Sequence, residues 1–196
     1  MKQLILFLLM VLTPTYSFCQ NSFWDLTKED RTWNEETRDK AYIAPNSKFV
    51  GKKWYVGPAC YRIFNTNGTY KDITNYTDTL ANFDYVLSES GTWKRNKQYI
   101  TISKNPKLTT YTPKASSLSS FSARKKDEII QNLKKLQATE RSWTLRPKTY
   151  EIFKINNDVF ILYDNYDNPY LDSNRHFIYF YSEKKLNEIL DKLKSE

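Results

Sequence analysis

Residues 49–103 read FVGKKWYVGPACYRIFNTNGTYKDITNYTDTLANFDYVLSESGTWKRNKQYITIS, and the turns within this stretch decide the fold. Short runs of aromatic and β-branched residues end on Gly, Asn, Asp or Ser, the pattern of strands joined by tight reversals. Trp54 to Phe64 is β-rich, and Gly57-Pro58 inside it predicts a bulge or bend. Asn65 to Gly68 predicts a hairpin turn, with Asn67-Gly68 as the strong dipeptide and Gly68 serving φ > 0. The chain returns through Thr69, Tyr70 and Ile73. A strand is predicted over Leu80 to Leu87, a turn over Ser88 to Gly91, and a second hairpin from Thr92 to Ser103 around Asn96-Lys97. Turns at this spacing make an antiparallel meander, as found in sheets and barrels.

Toward the C-terminus, Tyr111 to Phe121 turns to Ser, Thr, Lys and Pro, which reads as a loop. A helix follows over Ala123 to Thr139, within an inserted basic segment at 122–140. Ile129, Ile130, Leu133 and Leu136 form its apolar stripe. Strands resume over Tyr150 to Ile155, Val159 to Tyr163 and His176 to Tyr181. A last helix, Glu183 to Lys194, presents Leu186, Ile189, Leu190 and Leu193 on one side. The strands at 159–163 and 177–181 are apolar on both faces, so both faces must be covered, and an amphipathic helix is the natural cover. Toward the N-terminus, Thr27 to Lys40 reads as a charged helix with Thr27 as N-cap and Trp24 and Trp33 as anchors, part of a strap over residues 20–47. Residues 20–196 are expected to form a single domain.

The first 19 residues stand apart. Lys2 precedes the apolar run Leu4 to Leu12, Pro14 breaks it, and Ser17 and Cys19 place small side chains before Gln20. This is the layout of a cleaved secretory signal, and it predicts a periplasmic or secreted protein. A lipoprotein acylated at Cys19 is the alternative. The run is too short to cross roughly 30 Å of hydrocarbon, and no later segment is apolar enough to be transmembrane. Cleavage leaves Cys60 as the single cysteine, so stability rests on packing without an intrachain disulfide.

Phe49 to Ser103 resembles the lipocalin-like domains of secreted bacterial proteins. The resemblance rests on Val50, Gly51 and Trp54 in the opening strand, Ile63-Phe64 with Asn67-Gly68-Thr69-Tyr70 in the first hairpin, and Gly91-Thr92-Trp93 opening the next, before the strand Tyr99 to Ile102. It implies a mainly β fold with flanking helices: an up-and-down barrel, closed or half-open, with one inserted amphipathic helix and a C-terminal helix. In such a barrel Trp54 and Trp93 would plug the floor. The activity expected is binding or shielding a small apolar or amphipathic molecule. Trp54, Tyr61, Phe64, Tyr70, Trp93, Tyr99, Phe153 and Phe160 are the candidate ligand-lining residues.

Composition narrows the chemistry. One His and two Cys exclude a zinc finger, an iron–sulfur cluster or a disulfide framework. No Ser sits in a Gly-flanked elbow, His176 opens an apolar strand, and Cys60 lies among apolar neighbours, so no enzyme is expected. Asp164, Asn165, Asp167, Asn168 and Asp172 supply oxygen ligands without the spacing of a calcium loop, and with Pro169 they read as a solvated turn. No cofactor or metal is expected. The formal charge is +8, and Gly91 to Tyr150 alone holds 14 Lys or Arg against three acids. Arg124, Lys125, Lys126, Lys134 and Lys135 form a basic helix face, an alternative site for an acidic envelope partner such as a protein, lipid head group or glycan. Nucleic acid is not expected: the chain reads as exported, and Lys outnumbers Arg 22 to 8 without a recognition motif.

Overall fold

The computed structural model describes residues 23, 45–154, 157–163 and 177–195. A short helix α1 (Asn46–Phe49) leads through Gly51, at φ +76°, into β1 (Lys53–Gly57). The expected bend at Gly57-Pro58 is a full reversal into β2 (Cys60–Phe64), with Gly57 opposite Cys60 and a register slip after Tyr55. Pro58 suits the tip because its ring fixes φ and its missing N–H interrupts no ladder. The Asn67-Gly68 turn forms as expected. Gly68 takes φ +78°, and Asn67 Oδ1 accepts from the Thr69 amide (3.1 Å) and hydroxyl (2.7 Å).

The next two strands are longer than their turn residues suggest. β3 (Thr69–Asp78) and β4 (Phe83–Asn96) pair along their whole lengths, from Thr69 opposite Thr92 to Asp78 opposite Phe83. Leu80, expected to open a strand, stands 73% exposed in the turn. Asp78 Oδ1 accepts from the Leu80 and Ala81 amides and competes with the ladder for that backbone. The expected turn at Ser88 to Gly91 is continuous strand. Gly91 serves close approach there, not reversal: a Cβ on it would collide with the Ser103 carbonyl oxygen and lie 2.8 Å from the Tyr70 ring. Lys97, at φ 54°, then turns the chain into β5 (Tyr99–Lys104).

The stretch expected as a loop before the basic helix holds short elements. A 3₁₀ turn (Pro106–Leu108) leads to β6 (Thr110–Pro113), which pairs with β4 where β5 does not reach, and then to the single-turn helix α2 (Ala115–Leu118). Helix α3 (Ala123–Arg141) follows, capped by Ser122. Its Ile129 and Leu133 are buried with Phe83, Tyr85 and Leu118. β7 (Lys148–Lys154) then pairs with β5, so the insertion leaves and rejoins the meander between neighbouring strands. β8 (Val159–Tyr163), β9 (Phe177–Tyr181) and α4 (Glu183–Ser195) complete the chain order.

Eight strands, β1 to β5 and β7 to β9, close into an antiparallel up-and-down barrel, the seam being made by Tyr181 of β9 opposite Tyr55 of β1. Closure pairs each of these eight strands on both sides, while β6 pairs with β4 alone. Strand alternation sends Trp54, Phe64, Tyr70, Trp93, Ile100, Ile152, Phe160, Leu162 and Phe180 into the interior core. The opposite residues of β8 and β9 (Val159, Ile161, Tyr179 and Tyr181) face outward under Leu186 and Ile189 of α4, so the C-terminal helix is the cover those two-faced strands require. Phe23 joins this outer layer, edge-on to Tyr181 at 5.8 Å. The signal at 1–19 with Cys19, the helix Thr27 to Lys40 with Trp24 and Trp33, the loop Asp164 to Asp172, and His176 lie outside the described residues. No helix among the described residues is long and apolar enough to cross a membrane.

Candidate functional site

One end of the barrel is filled with rings. Phe49, carried in by α1, packs 5.6 Å edge-on to Phe64 and 5.8 Å from Trp93. Phe160 stacks on Phe180 at 4.6 Å and meets Trp54 edge-on at 4.7 Å. Both indoles have their N–H groups satisfied by main chain: Trp54 Nε1 donates to Phe49 O (2.7 Å) and Trp93 Nε1 to Asn65 O (3.1 Å). These bonds tie the entering helix and the first hairpin to the floor.

Further along the same interior the lining turns polar. Arg62 lies one inward position above Phe64. Its guanidinium sits over the rings of Tyr70 (5.2 Å) and Phe180 (5.6 Å) and donates from Nε and Nη2 to the two carboxylate oxygens of Asp72, at 2.5 and 2.6 Å. Burial works against that charge, and the Asp72 pair more than offsets it. Asp72 stands opposite Glu89 on β4, and Glu89 pairs with Lys104 of β5. Glu140, from the last turn of α3, reaches within 4.0 Å of the same ammonium group; its Oε2 is buried without a hydrogen-bond partner. Burial first, and then the Asp72 charge, hold the Tyr70 phenol far above its ordinary range; burial and Glu140 do the same to Tyr111. Cys60, bonded by the Thr74 hydroxyl at 3.3 Å, has its thiol raised by burial and stays protonated, as a small apolar residue would. The layer therefore combines the Arg62–Asp72 pair, the Lys104 ammonium between Glu89 and Glu140, and neutral phenols, with Tyr111 facing Glu140. Among the described residues no group of three or more His, Cys, Asp or Glu is placed to hold a metal ion.

Five of the expected lining residues (Trp54, Phe64, Tyr70, Trp93 and Phe160) share this interior. Two require correction. Tyr61 alternates with Arg62 and faces outward, 5.5 Å from Tyr55 beneath α4, and Tyr99 is 38% exposed on the outer surface. In each case the neighbour in sequence, Arg62 or Ile100, takes the inward position. Phe153 belongs to β7 opposite Ile161, and its side chain lies outside the described residues. On α3, Arg124, Lys134 and Lys135 are exposed, whereas Lys125 and Lys126 are half-buried and Lys125 pairs with Glu128 at 3.1 Å. The polar layer itself escaped sequence reasoning. A signal for it existed in the hairpin register: once Phe64 faces Tyr70 across the Asn67-Gly68 turn, Arg62 must face Asp72.

The sequence matches no protein-family model and no curated protein.

Proposed function

We propose that the chain is an exported, non-enzymatic, lipocalin-like protein that binds or shields a small amphipathic molecule in the polar half of its barrel. The observation that supports this is the change of lining along one interior, from a floor of packed rings to a layer of hydrogen-bonding groups. The filled floor leaves the polar half as the binding region. There the ligand's polar group meets Glu140, Lys104 and the Tyr70 and Tyr111 phenols, while its apolar part lies against Val56 and Ile178. The buried Glu140 Oε2, which takes no hydrogen bond of its own beside Lys104, favours a ligand that carries hydroxyl or amine hydrogens. Because both cations already face carboxylates, a bare anion has little to gain.

Native mass spectrometry on protein purified from its own cell-envelope fraction tests this reading. The expected result is extra mass that leaves on denaturation, and roughly tenfold less of it in Glu140→Gln, which keeps the shape but removes the charge. Protein at its bare calculated mass would overturn the reading, as would ligand retained undiminished by the variant.

A further inference from the structure

We propose that one edge of the barrel, formed by Leu108, Trp143 and Leu145, docks the protein on an anionic lipid surface. Of the five large apolar residues that stand exposed among those described, these three lie in two neighbouring segments, at 54%, 49% and 39% exposure. The segments are held together: Arg141 Nε donates to Thr109 O at 3.2 Å, joining the end of α3 to the 3₁₀ turn, and the Trp143 amide bonds back to Glu140 O at 3.0 Å. Every residue from 141 to 149 is exposed, so nothing in this stretch is turned into the core.

Charge identifies the partner. Lys107, Arg141 and Arg146 flank the apolar residues and are exposed, and neither 104–118 nor 141–150 contains an Asp or Glu. Trp favours the boundary between head groups and acyl chains, Leu favours the acyl side, and basic residues within a Debye length are drawn to anionic head groups. Apolar insertion or basic attraction alone gives weak, reversible binding, and the two together hold a protein on a surface. The edge joins α3, which supplies Glu140, to β7, which lies beside β5 and Lys104. Docking there would set the polar half of the barrel next to the membrane.

Flotation of the protein purified from its own cells tests this, using vesicles of phosphatidylcholine with phosphatidylglycerol against phosphatidylcholine alone. Binding is expected only with phosphatidylglycerol, weakening as salt rises, with a blue shift of tryptophan emission. The double variant Trp143→Ser/Leu145→Ser and the double variant Lys107→Glu/Arg146→Glu should each bind at least about tenfold more weakly. All four positions are exposed, so both variants should keep the wild-type circular dichroism and melting temperature. Three results would overturn the proposal: no binding to the anionic vesicles, binding unchanged in both variants, or binding lost only when Lys125, Lys126, Lys134 and Lys135 become Glu. Retention on an acidic polysaccharide without vesicle binding would assign the edge to a glycan and overturn the lipid reading.

Discussion

Arg62 carries a charge inside the barrel because Asp72 faces it on the neighbouring strand with matched bidentate geometry, at 2.5 and 2.6 Å. The side chains are 18% and 15% exposed, so the pair is desolvated enough that removing one partner strands the other. Asp72→Asn is expected to destabilise the fold by about 3 kcal/mol. The double change Arg62→Met/Asp72→Asn should recover much of that, since no buried charge is left unpaired. Urea unfolding of the two single variants and the double variant measures the coupling, and a strictly additive cycle would show that the pair is solvated. The sequence hid this residue for a physical reason. In Cys60 to Phe64 both alternating sets contain apolar side chains, so period-two reading assigns neither face to the interior. Tyr61 and Tyr99 are ambiguous in the sequence for the same reason: an aromatic ring on a strand suits a core, the helix-covered layer that Tyr61 joins, or the exposed surface where Tyr99 stands.

The barrel seam shows the same logic at the scale of elements. β1 and β9 meet through a single ladder pair, Tyr55 opposite Tyr181, and α4 lies across the junction. The helix is anchored at its start by Ser182, whose hydroxyl accepts from the Lys185 amide (3.2 Å) and donates to Asp158 (2.7 Å), and Tyr55 donates to Glu183 at 3.3 Å. Packing of Leu186 and Ile189 therefore contributes to closure as well as to helix stability. Leu186→Ala and Ile189→Ala should each cost about 2–4 kcal/mol. Amide exchange should rise first in β1 and β9, before β3 and β4, which pair over ten positions. Uniform acceleration around the barrel would mean that the seam is no weaker than the rest. That β8 and β9 need a cover was legible from Val159 to Tyr163 and Phe177 to Tyr181. Which helix supplies it was not, because α3 and α4 both carry an apolar stripe. The choice follows from β6, which extends the sheet beside β4 and gives α3 its own surface of Phe83 and Tyr85.

At the scale of the whole molecule, the two halves of the interior and the patch under α3 share a dependence on neutral phenols. Tyr70 is buried in the barrel, Tyr85 is buried beneath α3, and Tyr76 stacks on Tyr85 at 5.3 Å. Burial pushes the Tyr85 phenol up to about 12 from its ordinary value of 10.0, with Tyr76 adding to the shift, and burial raises Tyr70, Tyr76 and Tyr111 as well. In the unfolded chain these groups ionise near 10, so between 10 and 12 the folded state binds more protons than the unfolded state. The contribution is complete below about pH 10 and is lost as pH climbs through the folded values. For Tyr85 the loss is about 1.4 kcal/mol per pH unit across that window. The number of tyrosines was visible in the sequence, but which phenols are buried depends on register, closure and the placement of α3, none of which one strand reveals. Stability measured by urea unfolding should begin to fall near pH 9, where the Cys60 thiol ionises in the unfolded chain, and fall steeply above 10, with Tyr85→Phe less steep than wild type. A flat profile to pH 11 would mean that the phenols reach water, and the rings beneath α3 would then be an open surface and not a packed second core.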